Sequence, residues 1–270
     1  MKSRIPCTAC ILTRNAERTI VACLDALGGI DEVIVQDAST DSTQELAAHY
    51  PNVRLIPQNP AYLDSEGRCT HFACMRNEGV RAASHDWILV VDSDEILTLS
   101  FLEEVAAVIA KGEPAICSVF RRFFLHGQPV MHFACYPAFQ VRLFHRRVVE
   151  GYGKAVHERV IPLPGTRTQM LRTEFPEVVP ALSVQEMKYA YYRKLEAGRL
   201  GRIPLWRWMR WILLRNLLSA LAIVLRMLWI HALPRRGMCM PIAYELQYIR
   251  HQLRIIVCTF PYRRHSYTSP

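Results

Sequence analysis

At 270 residues, with 51% apolar and 21% charged side chains, the chain can bury a sizeable core as one large domain, with or without an appended module. The formal net charge of +9 is unevenly placed, because Glu245 is the one acidic residue in the sequence from 199 to 270. This asymmetry predicts an anionic partner for the C-terminal part, either membrane headgroups or nucleic acid.

The nine cysteines form no regular framework. Cys7 and Cys10 make a C-x-x-C pair inside the apolar run IPCTACIL, and no second pair follows, which favours buried thiols over a zinc knuckle. Polar residues interrupt the first apolar stretch from Thr13 onward, so we expect no signal peptide. A reducing, cytoplasmic setting fits this pattern.

Strand and helix patterns alternate along the first 110 residues. Strands are predicted at 6–13, 31–37, 52–58 and 87–92, and helices at 15–27, 39–50, 71–83 and 100–110. We expect Asn15 to cap the first helix, a Ser42–Glu45 capping box to begin the second, and Ser100 with Glu103 to begin the fourth. This series predicts an α/β fold with a mostly parallel sheet, covered by helices on both faces.

The rest of the chain has a different pattern. Residues 115–133 and 138–149 predict longer, antiparallel strands, with Gly127 in a turn. Residues 184–200 predict a helix, and a long apolar segment rich in Trp and Arg follows at 206–236. We therefore place one domain at residues 1–180 and a helical, basic region at 181–270.

Acidic residues gather where the predicted parallel strands end, which is the edge at which such sheets bind ligands. Asp37 ends the second strand and Asp41 follows it, while Asp92 and Asp94 end the fourth. The latter pair, on either side of Ser93, can turn toward one hard cation, which would cancel their repulsion and keep positions open for substrate phosphates.

This edge therefore predicts a nucleoside diphosphate site. Thr13 ends the first strand and Glu17 lies one turn into the next helix, so both join the candidates. Arg76, on the helix before the acidic strand, could meet a second phosphate charge. The alternative interpretation is that the aspartates are turn or cap residues and Arg76 a solvated helix residue.

Three segments resemble the signature blocks of family 2 inverting glycosyltransferases, which have the Rossmann-like GT-A fold: EVIVQDASTDST, MRNEGVRAASHDWILVVDSDEIL and GKAVHERV. They are more narrowly similar to the branch that contains the lipopolysaccharide core β-1,4-glucosyltransferases. The resemblance covers residues 4–165 and is looser in the tail. The family commonly has glycine where this chain has Ala38 and Ser42, which leaves the identity of the donor open.

The resemblance implies a role for each matching position. Asp37 would bind the nucleobase, usually uracil, and Asp41 would support the nucleotide pocket. Asp92 and Asp94 would be the D-x-D pair that faces the ribose and a diphosphate bound to Mg²⁺ or Mn²⁺. The predicted donor site comprises Thr13, Asn15, Glu17, Asp37, Asp41, Arg76, Asp92 and Ser93, and the predicted metal ligands are Asp92, Asp94 and His157.

An inverting sugar transfer needs a base for the acceptor hydroxyl, and a positioned carboxylate can supply one. We expect Glu158 to be that base, with His157 as a metal ligand or a donor of a hydrogen bond to the diphosphate. Glu95 is the competing base. The alternative is that His157 and Glu158 pair with each other on a strand.

The apolar segment is long enough to span a bilayer, but Arg215 and Arg226 interrupt it. Trp211, Arg215, Ser219, Ala222 and Arg226 fall on one narrow face of a helix, and the rest is aliphatic. We expect an amphipathic helix that lies on the anionic surface of the inner membrane, on the cytoplasmic side. A spanning helix, a packed core helix and a dimer contact are the alternatives, and the oligomeric state stays open. Nucleic acid is disfavoured, because the aromatic residues are embedded among aliphatic ones.

Together these observations predict a metal-dependent glycosyltransferase. It would move a sugar from a nucleotide donor, which the resemblance implies to be UDP-linked, to a hydroxyl of a lipopolysaccharide or lipid-linked glycan. Two other interpretations stay open: a nucleotidyltransferase, although the first loop lacks a glycine-rich phosphate motif, and an inactive membrane-bound scaffold with the same fold.

Overall fold

The computed structural model describes residues 4–200 and 203–261, which contain the following elements in chain order. The first half contains β1 (Ile5–Thr13), α1 (Ile20–Ala26), β2 (Ile30–Asp37), α2 (Thr43–Ala48), β3 (Val53–Pro57), α3 (Phe72–Ala82), β4 (Trp87–Asp92), α4 (Leu99–Ala110), β5 (Ile116–Leu125) and β6 (Gln128–His132). The second half contains β7 (Phe139–His145), β8 (Val149–Gly153), β9 (Arg159–Pro162), β10 (Thr168–Met170), β11 (Phe175–Val178), α5 (Leu182–Leu200), α6 (Leu205–Trp208), α7 (Leu214–His231), β12 (Met238–Cys239) and α8 (Ile242–Cys258).

The chain forms two compact units. The first consists of Met1–Arg122 and Pro137–Glu177, and the second of Phe123–Tyr136 and Val178–Pro270. The domain limits predicted from the sequence, 1–180 and 181–270, stay a prediction, and residues 201–202 and 262–270 of the second range lie outside the described residues.

The first unit is built on a sheet with the strand order β3-β2-β1-β4-β7-β5, and β10 pairs with β5. β1 runs parallel to β2 and β4, and β2 runs parallel to β3. β7 is antiparallel to both β4 and β5. The carboxyl ends of β1, β2 and β4 therefore lie at one edge, where Thr13 pairs with Asp37 and Leu12 with Asp92.

The sheet is covered on both faces, as the alternation of strands and helices predicts. Buried residues of α1, α2 and α4 pack with Ala9 and Ile11 of β1 on one face. On the other face, α3 and the β8–β9 hairpin pack against Ile88 and Val90 of β4. The predicted α/β fold with a mostly parallel sheet is confirmed.

The helix starts differ from the predicted ones. α1 begins at Ile20 with Thr19 as its N-cap residue, and Asn15 instead has a positive φ of 52° in the preceding loop. Ser42 is at the N-cap position of α2 but makes no side-chain cap bond. Thr98, not Ser100, caps α4 by accepting from the backbone N–H of Phe101. The caps predicted at Asn15 and Ser100 were wrong, and Ser42 lies at its predicted position without the predicted side-chain bond. Short polar residues lie at several neighbouring positions, and the sequence does not show which side chain bonds to the helix.

The second unit is mostly helical, and α7 packs mainly on α8. Trp208, Ile212 and Ile255 form a small buried cluster within it. Five residues between α6 and α7, Met209–Leu213, form a π-helical turn. Leu205–His231 is the one helix in the described chain that is long and apolar enough to cross a membrane, and 17% of its most apolar window is buried.

The outward face of α7 is a row of leucines that are 44–58% exposed: Leu214, Leu217, Leu218, Leu221, Leu225 and Leu228. This set is called the leucine row below. Arginines lie over the faces of tryptophan rings near both ends of the helical segment, with Arg210 over Trp211 and Arg235 over Trp229. The row has the composition of a surface that meets an apolar partner.

Candidate active site

The first part of the site is the turn that follows β2. Asp37 is 3% exposed, and its Oδ2 atom accepts hydrogen bonds from the backbone N–H of Ser39 at 2.9 Å and from Nε2 of Gln44 at 2.7 Å. Its Oδ1 atom accepts from the Ser39 hydroxyl at 2.5 Å. Asp37 is therefore held firmly at the carboxyl edge of the sheet, where it was predicted.

The loop after β1 is bonded to this turn. Oδ1 of Asn15 accepts from the backbone N–H of Thr40 at 2.9 Å, and Oδ2 of Asp41 accepts from the backbone N–H of Glu17 at 3.3 Å. Among the described residues, the buried hydroxyl of Thr13 has no hydrogen-bond partner. The structure thus brings together five predicted donor-site residues on two adjacent loops, and their contacts with a nucleotide stay a prediction.

The second part of the site is the turn after β4. The Asp92 carboxylate lies between two arginines: Nη2 of Arg76 is 2.9 Å from Oδ1, and Nη2 of Arg142 is 3.4 Å from Oδ2. Burial raises the pKa of Asp92, but these two guanidinium groups outweigh it and hold the pKa well below its usual range. The positive charge that offsets this acidic cluster is therefore supplied by the protein itself.

Glu95 lies on the buried side of the same turn and bonds to its backbone. It is 7% exposed, accepts the backbone N–H of Asp92 at 2.8 Å and forms an ion pair with Arg142. Burial raises the pKa of Glu95, while Arg142 opposes that shift. A buried carboxylate with these bonds stabilises the turn and is poorly placed to reach an acceptor hydroxyl.

Asp94 has a different environment from Asp92. Its side chain is exposed and, among the described residues, makes no hydrogen bond or ion pair. No three His, Cys, Asp or Glu side chains of residues 4–200 and 203–261 are grouped to hold a metal ion. Both oxygens of Asp92 face guanidinium groups, whereas the exposed carboxylate of Asp94 faces none among the described residues, so Asp94 is the carboxylate of this turn that is open to a cation, and the predicted ligands Asp92, Asp94 and His157 stay a prediction.

The third part of the site is the segment before β9. Oε1 of Glu158 is 2.7 Å from Nε of Arg76, so one arginine binds carboxylates from two distant blocks of the sequence. His157 is exposed and has a positive φ of 54°. Arg76, His157 and Glu158 line a cavity of about 430 Å³, together with Phe139, Tyr152 and other residues of β4, β5, β7 and β9.

Residues 8–158 match the sequence model of glycosyl transferase family 2, which covers more than half of the chain. The chain belongs to glycosyl transferase family 2. The match begins in β1 and ends at Glu158, so it includes every predicted site residue. The predicted family is thereby confirmed.

Individual relatives are distant. A TPR repeat-containing protein of Synechococcus elongatus is 27% identical over 153 residues, which are 56% of this chain and 34% of that protein. The chain thus spans about a third of the length of this curated relative. S. aureus TarS, known from a crystal structure, is 16% identical to this chain, with a TM-score of 0.47. The match covers 97% of this chain and 56% of the TarS chain. The crystal structure of mannosyl-3-phosphoglycerate synthase from Rubrobacter xylanophilus is also 16% identical in sequence, with a TM-score of 0.45. That match covers 73% of this chain and 74% of the synthase chain.

The R-N-E-G block of this family 2 domain has a physical explanation. Arg76 pairs with the two carboxylates, and the Asn77 side chain exchanges two hydrogen bonds with the backbone of Tyr152, at 2.9 and 2.7 Å. Gly79 lies against the side chain of Gln36 on β2. The block therefore joins α3 to the sheet and to β8, and so fixes the position of Arg76.

Two residues of the site were missed in the sequence. Arg142 was read as part of an ordinary strand, although an arginine inside the apolar run FQVRLF signals a buried partner of opposite charge. Tyr152 lies between two glycines, and its buried hydroxyl has no hydrogen-bond partner in the part of the chain that the structure describes. Burial raises the pKa of Tyr152, so it stays protonated.

Proposed function

We propose that this family 2 domain transfers a sugar from a nucleotide donor, with UDP as the first candidate, to a hydroxyl of a lipopolysaccharide or lipid-linked glycan, with inversion at the anomeric carbon. The observation that carries the proposal is the pairing of Arg76 with both Asp92 and Glu158. It brings the acidic turn at the carboxyl edge of the sheet next to the carboxylate proposed as the base. Asp37, at the end of β2 and separated from β4 by β1, would support a nucleotide at the same edge.

In the proposed reaction, the acceptor oxygen forms a bond with the anomeric carbon while the bond from that carbon to the diphosphate breaks. Glu158 takes the hydroxyl proton, and the nucleoside diphosphate leaves with the electron pair. Arg76 orients Glu158 through the bond at 2.7 Å. The cavity beside Glu158 would receive the reacting sugars, because Phe139 and Tyr152 offer aromatic surface and Gln140 and Ser118 offer polar groups.

A divalent cation, Mg²⁺ or Mn²⁺, would offset the charge of the departing diphosphate when bound. Asp94 is the residue best placed to hold it, because its carboxylate is exposed and no guanidinium group is paired with it among the described residues. His157 remains the second proposed ligand. Asp92 would instead contact the donor through its exposed part, since its side chain is 40% exposed beside the two arginines.

We also propose that the leucine row lies on the anionic, cytoplasmic surface of the inner membrane, where a lipid-linked acceptor would be presented. The low burial of Leu205–His231 supports a lipid contact more than a role as an internal core helix. The basic residues beside it, among them Arg207, Arg210, Arg235 and Arg236, suit acidic headgroups.

The experiment is an assay of the purified full chain with a panel of UDP-, GDP- and CMP-sugars, each with Mg²⁺ or Mn²⁺ and a lipopolysaccharide acceptor. The expected products are a glycosylated acceptor and the nucleoside diphosphate. Release of pyrophosphate would identify a nucleotidyltransferase instead. A chain that shows no thermal shift with any donor, and no turnover, would be the inactive scaffold.

A further inference from the structure

The most unusual charged residue of the first unit is Arg142. It lies within β7, its side chain is 1% exposed, and it belongs to the largest fully buried side chains of the chain. A buried guanidinium group is costly unless opposite charges and acceptors surround it. An arginine kept at such a position therefore needs an explanation that packing alone does not give.

The ion pairs of Arg142 are all with one short segment of the chain, Asp92–Glu95. It pairs with Glu95 and with Oδ2 of Asp92, and its Nη1 atom lies 3.5 Å from the backbone oxygen of Val90. Its guanidinium carbon lies 4.7 Å from the centre of the Phe175 ring. Both carboxylates with which it forms ion pairs belong to β4 or to the turn after it.

These contacts complete an alternating series of charges, in the order Glu158, Arg76, Asp92, Arg142, Glu95. The turn at its end is also closed by two bonds between Asp92 and Glu95: the N–H of Glu95 to the oxygen of Asp92 at 3.0 Å, and the N–H of Asp92 to the Glu95 carboxylate at 2.8 Å. Asp94, which lies inside this turn, takes its position from these bonds.

We propose that Arg142 is a positioning residue of the transfer reaction, which holds the Asp92–Glu95 turn in the shape that presents Asp92 and Asp94 to the donor diphosphate and its cation. Arg142 does not touch the substrate, because it is buried beneath the turn. Without it, Glu95 and Asp92 would face each other with no cation between them, and the turn would open. The inference rests on the proposed function for the identity of the donor and its cation, and its test measures binding separately from sugar transfer.

The test compares Arg142→Met with Arg142→Lys, and with Arg146→Met as the control. Arg146 lies just after the same strand and pairs with Asp86, away from the site. For Arg142→Met we expect the binding of UDP with Mn²⁺ to weaken by about 10–100-fold, as is typical when a residue that orients metal ligands is lost. Calorimetry and the electron paramagnetic resonance signal of Mn²⁺ measure this binding. The lysine variant should recover part of that loss, and Arg146→Met should bind as the wild type does.

A double variant separates positioning from general packing. Arg142→Met with Glu95→Gln removes the repulsion but keeps an acceptor for the N–H of Asp92, so binding should recover by at least about tenfold over Arg142→Met. Unchanged binding in Arg142→Met, or a double variant that binds no better than the single one, would overturn the proposal. If the wild type binds UDP with Mn²⁺ but transfers no sugar, the proposed function fails and the role of Arg142 is still measured.

Discussion

Nε of Arg76 donates to the carboxylate of Glu158 at 2.7 Å, across 82 positions of sequence. The same guanidinium group binds Asp92 at 2.9 Å, and the Arg76 side chain is 11% exposed. One cation thus joins the acidic turn to the proposed base. A largely buried ion pair of this kind fixes geometry more than it adds stability, and removal of one partner leaves the other charges uncompensated.

Arg76→Met should therefore lower both stability and activity. We expect a loss of about 3–5 kcal/mol in the free energy of unfolding, because Glu158 loses its cation and Asp92 keeps only one of its two, Arg142. Activity should fall at least about 100-fold, and Arg76→Lys should be intermediate because lysine lacks the planar fork. Urea unfolding measures the stability, and steady-state kinetics measure the activity. Arg81→Met is the control, because Arg81 is exposed on the same helix. Activity of Arg76→Met close to that of the wild type would exclude the role given to this pair.

Glu158→Gln should abolish turnover while sparing the nucleotide site. The expected fall in kcat is about 10²–10⁴-fold, the usual contribution of a general base, because Gln cannot take the acceptor proton but can still accept from Arg76. The affinity for UDP, measured by calorimetry, should stay within about threefold of the wild type, since Asp37 is unchanged. Glu95→Gln is the comparison. A larger fall in kcat for Glu95→Gln than for Glu158→Gln would transfer the role of base to Glu95.

Glu32 should make the stability of the first unit depend on pH. Its carboxylate accepts from the Thr8 hydroxyl at 2.6 Å, from the N–H of Ser84 at 2.8 Å and from Arg54 at 2.9 Å. Burial raises the pKa of Glu32, but these hydrogen bonds outweigh it and lower the pKa below 4.5. A lowered folded-state pKa stabilises the protein above the unfolded value, and this stabilisation is lost as the pH falls through the folded value.

The measurement compares the wild type with Glu32→Gln in thermal unfolding from neutral to acidic pH. At pH 7 the variant should be less stable by about 1–3 kcal/mol. The difference should shrink below about pH 4.5, because protonated Glu32 resembles Gln. Glu45→Gln, exposed on α2, is the matched control. A difference that is constant across the pH range would contradict the assignment.

Gly79→Ala tests the contact that fixes α3 on the sheet. A Cβ atom at Gly79 would collide with Oε1 of Gln36, whose Nε2 donates to the oxygen of Met75 at 2.8 Å. We expect a destabilisation of about 1–3 kcal/mol from overpacking, and lower activity because α3 carries Arg76. At Gly29 nothing lies within 4 Å of an added Cβ, so Gly29→Ala is the control. Equal melting temperatures for the two variants would show that the contact is relaxed at no cost.

The sequence predicted the elements whose signals are local. The strands before Asp37 and Asp92 were found because β-branched runs end in aspartates, and the parallel sheet then places both at one edge. The helix starts were misplaced because capping depends on the rotation of individual side chains. Thr98 caps α4 although Ser100, two residues later, has an equivalent hydroxyl.

The charge balance of the site was not predictable, because it arises between distant residues. The sequence shows three carboxylates at 92, 94 and 95, and a metal ion is one way to neutralise them. The fold instead brings Arg76 from α3 and Arg142 from β7 to Asp92. Which arginine reaches a carboxylate 16 or 50 positions away depends on strand pairing, and β7 is inserted beside β4 out of chain order.

The leucine row should bind lipid, and a single charge placed in its centre should prevent this. Leu221 is 54% exposed, so Leu221→Glu removes an apolar contact and adds a repulsive charge without disturbing the core. The loss of one buried leucine contact corresponds to about 1.5–3 kcal/mol, so association with vesicles that contain phosphatidylglycerol should weaken by at least about tenfold. Co-sedimentation of the full chain measures this directly.

The control for Leu221→Glu is Val178→Glu, because Val178 is 73% exposed in the same unit and lies outside α7. It introduces the same charge at another exposed apolar position, so it should leave vesicle binding and the melting temperature close to those of the wild type. Equal weakening by both variants would mean that net charge, and not the leucine row, governs the association. A chain whose binding survives Leu221→Glu but whose mass in solution falls by half would show that the row is a contact between two copies.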